Sequence, residues 1–126
     1  MHSAIIEDFL TQLEAANLGY PIAYPNVKFD DVEGVYLEVT HAPNSPIDDT
    51  LSSQSVVQRG LFQVSVIGRQ NTGIIRLNDI AQEVANVFPK LTPIASVKVS
   101  RVPYTIAQVA IEGGRVELPV TIEYVG

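Results

Sequence analysis

The residues able to do chemistry are few and far apart. His2 and His41 are the only histidines, and there is no cysteine. His2 is terminal. His41 falls at the end of a strand-like run before a long loop, where a general base or a metal ligand can be placed. No HxxxH spacing accompanies it, so it reads as a solvated loop-edge residue. Two acidic pairs, Asp30-Asp31 and Asp48-Asp49, could share a divalent cation, which needs several convergent oxygens. No DxDxDG loop is present, and adjacent aspartates are common turn-formers. Serines crowd residues 43–55, without a histidine at a telling position for a hydrolase triad. Phosphate-cradling glycine motifs and the nucleophile elbow are absent. Arg59, Arg69, Arg76, Arg101 and Arg115 are scattered and read as surface or ion-pairing residues. These residues assign no catalytic, cofactor or metal position.

Composition narrows the remaining classes. With 126 residues, the chain fits one domain and can bury a core. Charged residues make up only 17%, against about 25% in an average domain, which leaves more apolar surface to be covered by neighbours or by internal crowding. The net charge of −6 opposes binding to a nucleic-acid backbone by counterion release. Without cysteine there is no disulfide framework and no thiolate zinc site, which fits a reducing cytoplasm. The first ten residues lack the pattern of a signal peptide, and no apolar run approaches the ~20 residues of a membrane span.

The elements that would position these residues follow from periodicity. Residues 3–17 suit a helix with Ile6, Phe9, Leu10, Leu13 and Ala16 on one stripe, capped by Ser3 and stopped by Asn17 and Gly19. A short strand at 22–24 lies between Pro21 and Pro25. Residues 35–42 alternate, with Val35, Leu37 and Val39 on one face and Tyr36, Glu38 and Thr40 on the other. Residues 43 to about 55 carry two prolines and four serines, and most of this stretch should be irregular. Connections in compact domains usually take about 4–6 residues, and longer ones tend to be functional. A central strand over 56–68 puts Phe62, Val64 and Val66 on one face and Leu61, Gln63, Ser65 and Ile67 on the other.

After a turn at 69–73, Asn71 or Thr72 is placed to cap a helix to Phe88. Its stripe is Ile74, Leu77, Ile80, Ala81, Val84, Val87 and Phe88, and Pro89 ends it. Strand-like runs follow at 95–100 and 104–111, then a Gly113-Gly114 hairpin turn and a strand from Val116 to Tyr124. Pro119 inside that strand calls for an edge position or a break in pairing. Strands and helices do not alternate regularly. The expected class is α+β, a mostly antiparallel sheet packed by two helices.

Taken together, four segments resemble the small tail terminator or tail completion proteins of long-tailed phages, including the lambda-type terminator. IAYPNVKFD after the first helix is similar to that family's Pro/Ala-x-Tyr/Trp-x-Asn-x-x-Phe segment. GVYLEVTHAP resembles its first long strand. RGLFQVSVIGRQNTG with LNDIAQEVANVFPK resembles its central strand, turn and helix. IEGGRVELPVTIEYV resembles its closing hairpin. The set spans nearly the whole chain in order. The resemblance implies a non-enzymatic minor tail protein of the virion, assembled in the host cytoplasm. It implies a homo-oligomeric ring, commonly a hexamer, on the head-proximal end of the tail tube. There it would stop tube polymerisation and serve head-tail joining. The implied partners are further copies of itself, the tail tube protein and the head-tail connector protein. DNA would pass the lumen without specific binding, and no membrane or cofactor is involved.

Within that reading the loop at 44–58 is the candidate interface, through Asn44, Ser45, Asp48, Asp49, Leu51, Gln54 and Gln58. Arg59, Tyr36 and Glu38 are weaker candidates. Three other readings stay open: a neck or head-completion component on a related fold, a small cytoplasmic binding module, and an enzyme using Asp48, Asp49 and His41.

Overall fold

The computed structural model describes residues 3–24, 34–43, 47–48, 56–57, 59–71, 73–111 and 113–126, with 47–48 and 56–57 described by backbone alone. Helix α1 (Ser3–Ala15) buries Ile5, Phe9 and Leu13. Ile6 and Leu10 are half-buried, whereas Ala16 is exposed. The buried stripe is thus rotated towards Ile5, at i, i+4, i+8 spacing. Asn17 (φ 51°) and Gly19 (φ 91°) end the helix in left-handed conformations, as their positions predict.

Strand β1 (Ile22–Ala23) pairs in parallel with β2 (Tyr36–Pro43). That single parallel ladder makes the sheet mixed, although every other pairing is antiparallel among the described residues. The stretch expected to be largely irregular holds a separate two-stranded ribbon, β3 (Ile47–Asp48) with β4 (Val56–Val57). The central strand β5 therefore begins later than its apolar pattern suggests, at Arg59, and runs to Arg69. Val56 and Val57 look like its continuation because β-branched residues carry the same signal in either ladder.

Helix α2 (Ile74–Val87) buries Leu77, Ile80, Ala81 and Val84. Asn71 is not its cap, and Thr72 lies outside the described residues. Gly73 occupies that position at φ 94°, with no side-chain cap bond. Ile74 is 48% exposed, so the first residue of the expected stripe lies off the core, and Val87 is half-buried.

Strands β6 (Pro93–Ile94) and β7 (Val97–Val99) form a hairpin. Helix α1 holds it: the Ala95 amide donates to Asp8 Oδ2 at 2.6 Å, and Gln12 Nε2 donates to the Pro93 carbonyl at 2.8 Å. The expected run at 104–111 is divided into β8 (Tyr104–Thr105) and β9 (Val109–Ile111). Both pair with β10 (Arg115–Val125). Gly113 and Gly114 (φ 79° and 70°) turn the chain into β10. Pro119 lies in a strand paired with β5 along its full length, so it is not at an edge. On the other side of β10 the ladders stop at Glu117 and resume at Val120, leaving Pro119 in the gap.

The main sheet runs β1-β2-β5-β10-β7-β6, with β8 and β9 also beside β10. Its inner face carries Leu37, Val39, Phe62, Val64, Val66, Leu118, Val120, Ile122 and Tyr124, all buried with residues of both helices. Phe9 stacks on Phe88 at 4.4 Å between centroids and meets Phe62 at 3.9 Å. The other face is not simply solvated: Ser65 and Ile67 are each 1% exposed.

Candidate assembly interface

Pro43 ends β2 opposite Gly60, so the 44–58 loop leaves from one end of the sheet. The base of that loop is stiffly built. His41 faces inward, half-buried, its ring stacked 4.5 Å from Phe62, and its Nε2 lies 2.7 Å from Tyr124 Oη. The expectation of a solvated histidine is corrected: alternation from Leu37 and Val39 puts His41 on the core face. Tyr124 is 2% exposed, and burial raises its pKa. Its ring lies across Gly60, where a Cβ would collide with the hydroxyl. Glycine is required there by a close approach and not by a turn.

The interface candidates fall into separate places. Asn44, Ser45, Asp49, Leu51, Gln54 and Gln58 lie outside the described residues, and of Asp48 only the backbone in β3 is described. Arg59 is exposed at the loop base. It lines a cavity of about 310 Å³ with Gly60, Ser100, Glu123, Tyr124 and Val125. Tyr36 is at the far end of β2, beneath the Arg115 guanidinium at 5.2 Å from its ring centroid. Seven residues separate Tyr36 from Pro43, roughly 23 Å along a strand. Glu38 sits between them on the outer face, level with Ser65. Both are half-buried, so Arg59 joins the loop and Tyr36 and Glu38 do not. Arg115, read from sequence as a surface or ion-pairing residue, is only 7% exposed.

Sequence reasoning missed two surfaces. The first is a cavity of about 640 Å³ at the start of α2, lined by Tyr20, Ile74, Ile75, Arg76, Asp79 and Glu83, among others. Ile75 is 76% exposed there. Tyr20 donates to Glu83 at 3.1 Å, and its pKa is raised by burial first and by Glu83 second. The second is the stretch 102–111, where Val102, Ile106 and Val109 are exposed large apolar residues. It carries no charged residue, a signal present in the sequence. At its start, Arg101 lies over the Tyr104 ring at 4.5 Å and 3.7 Å from Glu123. Tyr104 donates to Glu123 at 2.7 Å, a bond that raises the tyrosine pKa.

Among the described residues, no three His, Cys, Asp or Glu side chains gather as a metal site. Of the alternative Asp48, Asp49 and His41 set, Asp49 and the Asp48 side chain lie outside what is described, and His41 faces Phe62 and Tyr124. No described helix is long and apolar enough to cross a membrane. The described geometry thus consists of a packed sheet, a separate short ribbon and exposed apolar patches, of the kind protein-binding surfaces use.

Comparison with known proteins agrees with that class. A family model described as phage tail terminator protein matches residues 2–124, and the chain belongs to that family. It is therefore a structural protein of the phage tail, located in the virion. One solved chain is 22% identical, with a TM-score of 0.74 over 98% of this chain and 91% of its own length. Another, from a structure titled as the virion of a native gene transfer agent particle, is 15% identical, with a TM-score of 0.62 over 98% of this chain and 96% of its own. At those identities the two establish a shared fold. The search of curated proteins gave no match.

Proposed function

We propose that the protein assembles into a homo-oligomeric ring, a hexamer by the family resemblance. The ring caps the head-proximal end of the tail tube, halts its polymerisation and offers the surface on which the head connector docks. The observation that carries this reading is the family match over residues 2–124. The fold shared with a chain in a gene transfer agent virion supports a place in such a particle. The arrangement of the chain is suited to the task. A ring needs two different patches per subunit, and the ribbon, a sheet of its own, and the uncovered stretch at 102–111 beside β10 are different elements of the chain.

Capping works here by surface complementarity, with no reaction catalysed. One face of the ring matches the tube subunit's mating surface and the other does not, so no further tube subunit adds. The 44–58 loop, including Asp48, Asp49 and Gln58, makes axial or inter-subunit contacts, with Arg59 at its base. The net charge of −6 suits a lumen that DNA passes without adhering.

Deleting residues 45–53 tests the assignment. The account expects the isolated variant to melt within a few degrees of the parent. Phage carrying it should make overlong tails that fail to join heads. Tails of normal length that still join heads would remove the loop from the mechanism.

A further inference from the structure

The main sheet protects its edges unequally. Strand β1 has two residues and lies between Pro21 and Pro25, and β6 has two residues and begins at Pro93. Short strands and prolines discourage the addition of another chain. The β8–β9 edge is built of short strands too, two and three residues, with Pro103 before the first, but it leaves large apolar side chains exposed along its length. From Tyr104 to Ile111 it holds no proline and no charge, and Thr105 through Ala110 are all exposed. Among the described residues only β10 pairs with β9. Ile106 is 55% exposed and Val109 47%, where gatekeeper charges would ordinarily stand.

The same chain carries a strand pair that needs a neighbour. Strands β3 and β4 form a sheet of their own, with no third strand among the described residues. A lone two-stranded ribbon is at best marginally stable in water. Ile47, Val56 and Val57 make it apolar, and Asp48 gives it an acidic residue. The open edge is neutral, with Arg101 at its start, its side chain 60% exposed. The two surfaces complement each other in backbone hydrogen bonding and apolar character.

The ribbon cannot reach the β9 part of that edge within its own chain. Pro43 is level with Gly60, and Val109 is level with Glu117 and Ile67. Seven residues along the strands and three strand spacings across give a separation of about 27 Å. Asp48 is five residues beyond Pro43 and extends at most about 18 Å from it. Val57, two residues before Arg59, has a shorter reach still.

We propose that the occupant of the β8–β9 edge is the β3–β4 ribbon of a second copy of this chain, added as a strand to the main sheet. The contact is head-to-tail, because the donating ribbon and the accepting edge are different surfaces. Such a contact propagates from subunit to subunit until the ring closes. This inference rests on the ring reading and specifies how neighbouring subunits engage.

The absence of native cysteine makes the contact directly testable. Full-length chains with Ile47→Cys or Asp48→Cys are mixed with chains carrying Val109→Cys or Ala110→Cys. They are oxidised with glutathione while their mass is followed by light scattering. The expected result is assembly, with a mixed disulfide dominating in at least one of the four pairings and lost on reduction. Assembly without a mixed disulfide in any pairing would overturn the ribbon-to-edge contact while leaving the ring intact. A monomer at all concentrations, with and without tail tubes, would overturn the ring reading and this contact together. A chain with both cysteines that closes its disulfide as a monomer would also refute the exchange. As an independent readout, Val109→Lys should abolish assembly without lowering the melting temperature of the isolated chain. Unimpaired assembly of that variant would contradict the proposal.

Discussion

Strand β10 passes two very different neighbourhoods on its way through the sheet. At its end, Tyr124 is paired with Gly60 on one side and Val99 on the other, and its hydroxyl meets His41. Around Pro119 the same strand keeps β5 on one side but loses its ladder on the other. The first neighbourhood is closed by an aromatic group that leaves room for no side chain at residue 60. The second exposes valine and isoleucine beside open backbone. One strand thus runs from a tightly packed end of the sheet to a sparsely covered one. The loop springs from the closed end, and the open edge stays free for a partner.

Substitutions that break one region and spare the other test this division. The largest effect on stability is expected from Gly60→Ala. The new methyl can be accommodated only by moving the Tyr124 ring, which is packed on Phe62 and bonded to His41. Overpacking of this kind costs about 1–3 kcal/mol, read as a lowered midpoint in urea denaturation. An unchanged midpoint would mean that the closed end yields easily.

Tyr124→Phe should cost less, about 1 kcal/mol, by removing one hydrogen bond. It also carries a pH signature. Burial raises the Tyr124 pKa in the folded chain above its unfolded value of about 10. The associated stability is therefore complete below the unfolded value and is lost as pH rises through the higher folded one. Tyr20, Tyr24 and Tyr104 are shifted in the same direction, the last two chiefly by bonds to Glu14 and Glu123. Melting temperature should fall above pH 10 in the parent, and less steeply in the Tyr124→Phe variant. Identical slopes would assign the alkaline loss to the other tyrosines.

At the open edge the expected stability change is smallest. Exposed substitutions usually stay within about 0.5 kcal/mol, so Val109→Lys should leave the denaturation midpoint in place while removing self-association. A large drop in the midpoint would make this edge part of the folding core and erase the contrast.

Much of the framework was legible in the sequence because it depends on local period. Phe62, Val64 and Val66 alternate, and Leu77, Ile80, Ala81 and Val84 recur at helical spacing, so each core face could be named. What could not be read depends on distant partners. Val56 and Val57 carry strand character without revealing that they belong to another ladder. His41 looked solvated because nothing near it in sequence announces Tyr124, 83 residues away. Gly60 resembles any glycine at a strand end until the tyrosine is laid across it. The loop proposed for assembly is marked by its length and its turn residues. The edge proposed to accept a neighbour carries its signal as missing charge over 102–111, which no local period marks.

The central claim is that this chain ends tube growth. The most direct measurement is the length distribution of tubes formed by the cognate tail tube protein as the purified chain is added at increasing ratios, viewed by electron microscopy. The account predicts shorter tubes as the ratio rises, each carrying one ring at a single end. Tubes of unchanged length with bare ends would contradict it.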